Sequence, residues 1–328
     1  MRCLVTGAAG FIGMHTCLDL LNRKIKVLGL DNLNSYYDKK LKLDRVQNLN
    51  KYSNFTFKKV DISNFNKLSK IFKYFKPEYV INLAAQAGVR HSIKNPFEYT
   101  KSNLVGFGNI LECSKRFKVK HLIFASSSSV YGGSKNYPFK ETENVDQPMN
   151  YYAASKKSNE LMAHSYSHLF KMPITGLRFF TVYGPWGRPD MFLALLTSAI
   201  KKNKIINIFN KGEMYRDFTH VNDIAKAINK LLKKIPKLSR KDKKNIAPYK
   251  IFNIGSNKPI HLKKFISLTE NACKKKAKKK YIGMQKGDVK FTHANIDSLY
   301  KWIKFKPTTS MEKGIKNFVQ WYSGYYRL

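Results

Sequence analysis

The chain has 328 residues, 43% of them hydrophobic, enough for one large domain or two smaller ones whose core needs no disulfide staples. Its net charge of +40 comes from lysines spread along the whole length, so it is read as solvated surface and no specific nucleic-acid partner is expected. Cys3, Cys17, Cys113 and Cys273 are far apart with no C-x-x-C, and the eight histidines form no ligand cluster; this predicts reduced thiols in a cytoplasmic protein without a metal. No run approaches the ~18 uninterrupted apolar residues of a membrane span, so no membrane partner is expected. Residues 3–21 have the low charge of a signal peptide, but Gly7, Gly10 and Gly13 recur every third residue and His15 and Asp19 interrupt the run.

The first half alternates strands and helices. "RCLVT" (2–6) reads as a strand, residues 11–23 as a helix, "IKVLGL" (25–30) as a strand ending at Asp31, and "FTFKKV" (55–60) as a third ending at Asp61. "YVINLA" (79–84) and "HLIFAS" (121–126) follow as strands, separated by a helix at 100–117. A helix then starts near residue 151, and "ITGLRFF" (174–180) is the sixth strand. This alternation predicts βαβ units and an α/β fold of Rossmann type, a doubly wound parallel sheet, with ligands outside the carboxyl ends of its strands. After residue 182, "VYGPWGRPDM" is a Gly/Pro-rich loop, and shorter elements follow. The expected division is 1–182 for a dinucleotide domain and 183–328 for a smaller α/β substrate domain, partly interwoven with the first.

"TGAAGFIG" (6–13) lies between the first strand and the first helix. Gly7 permits a tight turn, Gly10 lets the backbone approach a pyrophosphate, and Gly13 lets helix pack on sheet. The free N–H groups of the helix start then face the phosphates, which puts Ala9, Phe11 and Ile12 at the same loop. Asp31, followed by Asn32, falls where a carboxylate accepts hydrogen bonds from a ribose and repels a 2′-phosphate, favouring NAD over NADP. Asp61 and Ile62 are neighbours for adenine, and "LAAQAG" (83–88), with Leu83, Ala84, Ala85 and Gln86, supplies small residues for close approach.

In "NYYAASKKSNE" (150–160) Asn150 is a helix N-cap, and among two tyrosines and two lysines only Tyr152 and Lys156 are spaced i, i+4 on one face. A nearby ammonium lowers a phenol's pKa from ~10 and makes it a base near neutral pH. "FASSSSVYGG" (124–133) brings hydroxyls to the end of the fifth strand, where one can bond the oxygen that the tyrosine deprotonates.

Together "TGAAGFIG", "DNLNSYYD", "NLAAQAGVRHSIKNP", "SSSSVYG", "YAASK" and "LRFFTVYGPWGRPDM" resemble the extended short-chain dehydrogenase/reductase family, and within it the UDP-glucuronate 4-epimerases, nearly end to end. The resemblance implies NAD, a UDP-sugar substrate and 4-epimerisation of UDP-glucuronate to UDP-galacturonate. Tyrosine takes the C4 hydroxyl proton while hydride moves to NAD⁺, the 4-keto sugar turns over, and hydride returns to its other face. Tyr152 would be the base and Lys156 its partner and a ribose contact. Ser127 would meet O4, with Ser128 and Ser129 as rivals. Asn103 joins the cofactor contacts.

Arg188, Thr181 and Arg90 are candidates for the sugar carboxylate, since arginine grips carboxylates bidentately. Arg216 and Asp288 resemble the family's phosphate and ribose positions. The dehydratases' Asp–Glu pair is replaced here by Ser128 and Ser129, which argues against water elimination. His91 stands where tyrosine is common, and Lys286 where proline is common. The family also implies a homodimer through a four-helix bundle. The alternatives are an epimerase of UDP-glucose or a UDP-N-acetylhexosamine, a UDP-glucuronate decarboxylase, and a polyanion-binding protein on a retired fold.

Overall fold

Strand and helix alternate from Arg2 onward because short β-rich apolar runs are separated by capped, helix-spaced segments. The computed structural model describes residues 1–238, 246–285 and 287–328, so Lys286 and part of the lysine-rich 233–248 segment lie outside the described residues. In chain order the elements begin β1 (Arg2–Thr6), α1 (Phe11–Asn22), β2 (Lys26–Asp31), α2 (Lys39–Leu49), β3 (Phe55–Lys59), α3 (Phe65–Phe75) and β4 (Tyr79–Asn82). Two short helices, α4 (Val89–Lys94) and α5 (Pro96–Tyr99), lead to α6 (Gly106–Arg116), β5 (His121–Ser127), α7 (Tyr151–Phe170), β6 (Ile174–Phe179) and β7 (Thr181–Tyr183). The remainder is α8 (Phe192–Lys201), β8 (Ile205–Ile208), β9 (Tyr215–His220), α9 (Val221–Leu232), β10 (Tyr249–Ile254), β11 (Pro259–His261), α10 (Leu262–Cys273), β12 (Lys278–Tyr281), α11 (Asp297–Ile303) and α12 (Met311–Tyr326).

Seven strands form one sheet in the order β10-β6-β5-β4-β1-β2-β3. Every pairing in it is parallel. Alternate side chains of each strand enter opposite cores. Cys3 and Val5 pack with Met14, Leu20, Ile224, Ile228 and Leu299 on one face. Leu4 packs with Leu68, Phe72, Phe107 and Ile110 on the other. A parallel sheet covered on both sides buries its strands on both faces, as at Leu122, Ile123 and Phe124 of β5.

The chain beyond residue 183 contributes to two cores. β10, α9 and α11 belong to the large sheet. α8, α10 and α12 enclose a second core around Phe218, Phe265, Ile315 and Phe318. The small sheets are β11-β9-β7 and β12-β8. One expected helix is divided: within 100–117, Thr100–Val105 is a π-helical turn and α6 begins only at Gly106. The wide turn coincides with Asn103, whose side chain is committed to neighbours outside the helix, a usual setting for a π-bulge.

All four cysteines are buried free thiols. Among the described residues no three His, Cys, Asp or Glu side chains gather as a metal site, and no helix is long and apolar enough to cross a membrane.

Candidate active site

Strand order reverses between β1 and β4, and the crevice beyond their carboxyl ends is where an open parallel sheet receives ligands. The Thr6 hydroxyl closes the floor: it donates to Asn82 Oδ1 at 2.6 Å and accepts from the Ala84 amide at 3.1 Å. Above it lies a cavity of about 300 Å³.

The glycine loop forms one wall. Gly7 sits at φ +69°, and a side chain there would strike the Ala84 amide at 2.8 Å. At Gly13 a Cβ would lie 1.9 Å from the Gly7 carbonyl oxygen. Gly10 caps α1 without any side-chain cap, so the first-turn N–H groups stay available to an anion. Gly7, Gly10, Phe11, Ile12 and Gly13 line the cavity. Ala9 does not; its amide donates to Asp31 Oδ2 at 3.2 Å and so joins the loop to the end of β2. These residues fit a dinucleotide.

Asp31, Asn32, Asp61, Ile62, Leu83, Ala84, Ala85 and Gln86 also line the cavity. Burial pushes the Asp31 carboxyl up, against hydrogen bonds from the Leu33 and Ala9 amides and the charge of Lys42. Asp61 is held below its usual range: against the cost of burial, hydrogen bonds from the Ser63 amide and hydroxyl and from Asn32 favour its charged form. Asn103 lies outside the wall. It brackets Gln86, accepting from its amide at 2.8 Å and donating to its carbonyl at 3.1 Å, so it shapes the wall from behind.

Asn150 caps α7 as expected, its side chain accepting from the Ala153 amide at 2.9 Å. Tyr152 and Lys156 therefore stand one turn apart, both on the cavity wall with Ser127. Burial raises the Tyr152 phenol above its usual value, while the Ser127 hydroxyl and the charge of Arg188 pull it back. The expected lowering by Lys156 is absent from these causes. Burial holds Lys156 near pKa 8, and its Nζ donates to the Ala125 carbonyl at 2.8 Å. One of the three ammonium hydrogens thus holds the strand end.

Ser126 and Ser127 line the cavity, whereas Ser128 and Ser129 do not. After Ser127 the chain turns into a 3-10 segment, Ser128–Tyr131, that carries both away, and the Ser129 hydroxyl accepts from Ser127 Oγ at 3.1 Å. Ser126 Oγ donates to Glu160 at 2.6 Å.

Thr181 and Arg188 line the cavity; Arg90, Arg216 and Asp288 do not. Arg188 is paired bidentately with Asp190 at 3.0 Å, and the Tyr36 hydroxyl donates to the same carboxylate. Arg216 is tied to Asp288 at 2.9 Å, which leaves each as the other's partner. Arg90 is exposed, with its guanidinium 5.8 Å from the Phe209 ring centre. His91, the unusual residue, donates to Glu98 at 2.9 Å and packs on Tyr36, away from the cavity wall.

Sequence reading missed Asn34, Tyr36, Tyr37, Lys42, Ser102 and Met191 on the wall. "DNLNSYYD" was the signal that could have found three of them, had its tyrosines and Asn34 been read as ligand-facing. Lys42 is buried and donates to the Asn34 side chain at 2.6 Å.

The match to known proteins agrees with this geometry. Residues 3–255 match the NAD dependent epimerase/dehydratase family. The chain is 51% identical to protein CapI of Staphylococcus aureus over the full length of both. It is 42% identical to a probable UDP-glucuronate 4-epimerase of Rhizobium meliloti, across all of this chain and 98% of that one. Among solved structures, UDP-glucuronic acid 4-epimerase from Bacillus cereus, in complex with UDP-glucuronic acid and NAD, superposes with a TM-score of 0.90 at 34% identity, covering 99% of this chain and 100% of that one. With its glycine loop, Tyr152–Lys156 pair and seven-stranded sheet, the chain belongs to the NAD dependent epimerase/dehydratase family.

Proposed function

We propose that the protein is an NAD-dependent UDP-glucuronate 4-epimerase that makes UDP-galacturonate through a transient 4-keto sugar. The observation that carries this reading is one cavity lined by the glycine loop, Tyr152, Lys156, Ser127 and Arg188. Relatives named for this activity, similar over their whole length, support it.

In this reading the loop of Gly7, Ala9, Gly10, Phe11, Ile12 and Gly13 holds the dinucleotide phosphates. Asp31 and Asn32 take the adenosine ribose, Asp61 and Ile62 the adenine, and residues 83–86 the middle of the cofactor. Bound NAD⁺ supplies a hydride acceptor and donor beside C4. Tyr152 takes the proton from the C4 hydroxyl and returns it, and Ser127 holds O4 by a hydrogen bond. Lys156 holds the serine strand through Ala125 and reaches a ribose hydroxyl. Residues 1–182 serve mainly the dinucleotide and residues 183–328 mainly the nucleotide sugar.

A 4-keto uronate is a β-keto acid and loses CO₂ unless its carboxylate is held. Arg188 and Thr181, on the wall, are the proposed clamp. Arg216 and Asp288 are proposed to exchange their mutual ion pair for the nucleotide phosphate and ribose. The Arg188–Asp190 pair favours a second reading, because a carboxylate substrate must compete with Asp190. That reading is epimerisation of a neutral UDP-hexose. Incubation with UDP-glucuronate and separation of the products decides between them. UDP-galacturonate is expected. A UDP-pentose, or conversion of UDP-glucose alone, overturns the proposal.

We also propose a homodimer through α6 and α7, since Leu161, Leu169 and Phe170 are exposed on α7 and Val105 is exposed in the turn that leads into α6. The four buried reduced thiols suit a cytoplasmic setting.

A further inference from the structure

Arg45, on α2, is wholly buried, and among the described residues no carboxylate lies within ion-pair distance of it. Burying a guanidinium away from a carboxylate is costly, so its remaining hydrogen bonds must be well made. They run in three directions. One Nη1 hydrogen goes to the Ala9 carbonyl at 2.9 Å and another to the Tyr37 hydroxyl at 2.6 Å, while Nη2 donates to the Trp186 carbonyl at 2.6 Å. Nε has no partner. Ala9 belongs to the glycine loop, and Tyr37 is on the cavity wall. Trp186 lies two residues before Arg188, in the loop between β7 and α8.

That loop has little internal support. Trp186 sits at φ +63° and Gly184 at φ +138°, and the backbone bonds within the loop are two turn bonds, Gly187 to Gly184 and Met191 to Arg188, each at 3.2 Å. A non-glycine residue in the left-handed region is strained and persists only when its surroundings hold it. The Trp186 ring packs on Trp321 and Tyr325 of α12, and the loop backbone is held from the dinucleotide half. His15 of α1, kept neutral by burial with a pKa of about 4, donates Nε2–H to the Pro185 carbonyl at 2.9 Å. Arg45 takes the next carbonyl. Two consecutive peptides of the Arg188 loop are thus fastened to the glycine loop and its helix.

We propose that Arg45 is a positioning residue that locks the dinucleotide loop to the Arg188 loop, so that filling one half of the site favours filling the other. It rests on the reading of these halves as dinucleotide and nucleotide-sugar sites. A dinucleotide that orders residues 7–13 fixes the Ala9 carbonyl, this fixes the guanidinium, and the guanidinium fixes Trp186 and the approach of Arg188. Coupling of this kind is reciprocal and amounts to about 5- to 150-fold in affinity.

The test is thermal unfolding of the full chain stripped of nucleotide, alone, with NAD, with UDP-glucuronate, and with both. Wild type is expected to gain more from the two together than the sum of the separate gains. Arg45→Met keeps much of the side-chain volume and removes the guanidinium. Its ligand-free unfolding temperature is expected below that of wild type, because the Ala9 and Trp186 carbonyls and the Tyr37 hydroxyl lose their donor. Its NAD affinity falls roughly tenfold, and the two gains become additive. A merely structural arginine would lower all four temperatures alike and leave the excess intact. If the Met variant does not fold, Arg45→Lys, whose single ammonium cannot span all three acceptors, is expected to give additive gains. An excess that survives in the folded variant overturns the proposal, as do additive gains in wild type. A wild type that responds to neither ligand overturns the functional reading and the coupling with it.

Discussion

Lys156 Nζ donates to the Ala125 carbonyl at 2.8 Å, so the lysine one turn below Tyr152 grips the end of β5. With no carboxylate beside it, burial lowers its pKa from 10.5 to about 8. The unfolded chain therefore holds this proton to higher pH than the folded chain does. The penalty is full below pH 8 and fades as pH rises to 10.5, so this group makes stability increase with pH across that window. The span is worth about 3 kcal/mol. Lys156→Met should remove this slope. Urea unfolding of both ligand-free proteins between about pH 7.5 and pH 10 measures it, and parallel curves would refute it.

Tyr152→Phe should lower kcat by about 10²–10⁴ and leave NAD bound, because only the proton-transfer group is lost. The pH profile carries a finer prediction. A base works when deprotonated, so kcat/KM rises with pH through the phenol's pKa. Ser127 and Arg188 pull that pKa down against burial. Ser127→Ala should move the rising limb to higher pH; an unmoved limb would count against Ser127 as the phenol's neighbour.

Arg188→Ala should cost activity on UDP-glucuronate far more than on UDP-glucose, if any of the latter is turned over. Losing a bidentate charged grip costs about 1.5–3 kcal/mol, or roughly 10- to 150-fold in kcat/KM. Product analysis should also find UDP-pentose, as a loosely held β-keto acid loses CO₂. Equal losses on both sugars, with no pentose, would exclude Arg188 as the carboxylate clamp.

Glu160 and Arg178 form a buried bidentate pair at 2.9 and 2.8 Å, and Ser126 donates to the same carboxylate. This joins α7, β6 and the serine strand behind Tyr152 and Lys156. Glu160→Gln leaves a buried guanidinium without its counter-charge and should cost about 3–5 kcal/mol by denaturant unfolding. Replacing both by apolar residues should cost less than the single change. A double variant less stable than the single one would contradict this account.

Leu161→Glu puts a charge on the exposed face of α7. If α6 and α7 form the dimer, sedimentation should show monomer where wild type sediments as dimer. A variant that remains dimeric would move the interface elsewhere.

Much of the site was legible because its rules are local. The spacing of Tyr152 and Lys156, the Asn150 cap and the glycine loop depend on residues within a turn or two, and Asp31 and Asp61 stand at or just past strand ends that apolar runs reveal. Ser127 could not be separated from Ser128 and Ser129, since a short 3-10 turn after β5 decides which hydroxyl faces the cavity. Arg216 and Asp288 were placed by resemblance, 72 residues apart, and their ion pair was not readable from either segment.

The sequence by itself determined the alternating strands and helices, the dinucleotide loop and the tyrosine–lysine face, because helix and strand periods and glycine sterics act over a few residues. Only the tertiary structure decided that β10 completes the first sheet, that Lys156 bonds Ala125, and that Arg45 spans from Ala9 to Trp186. These are contacts between segments distant in the chain. Their partners are selected by packing and by the need to satisfy buried polar groups, and neither leaves a periodic trace in the sequence.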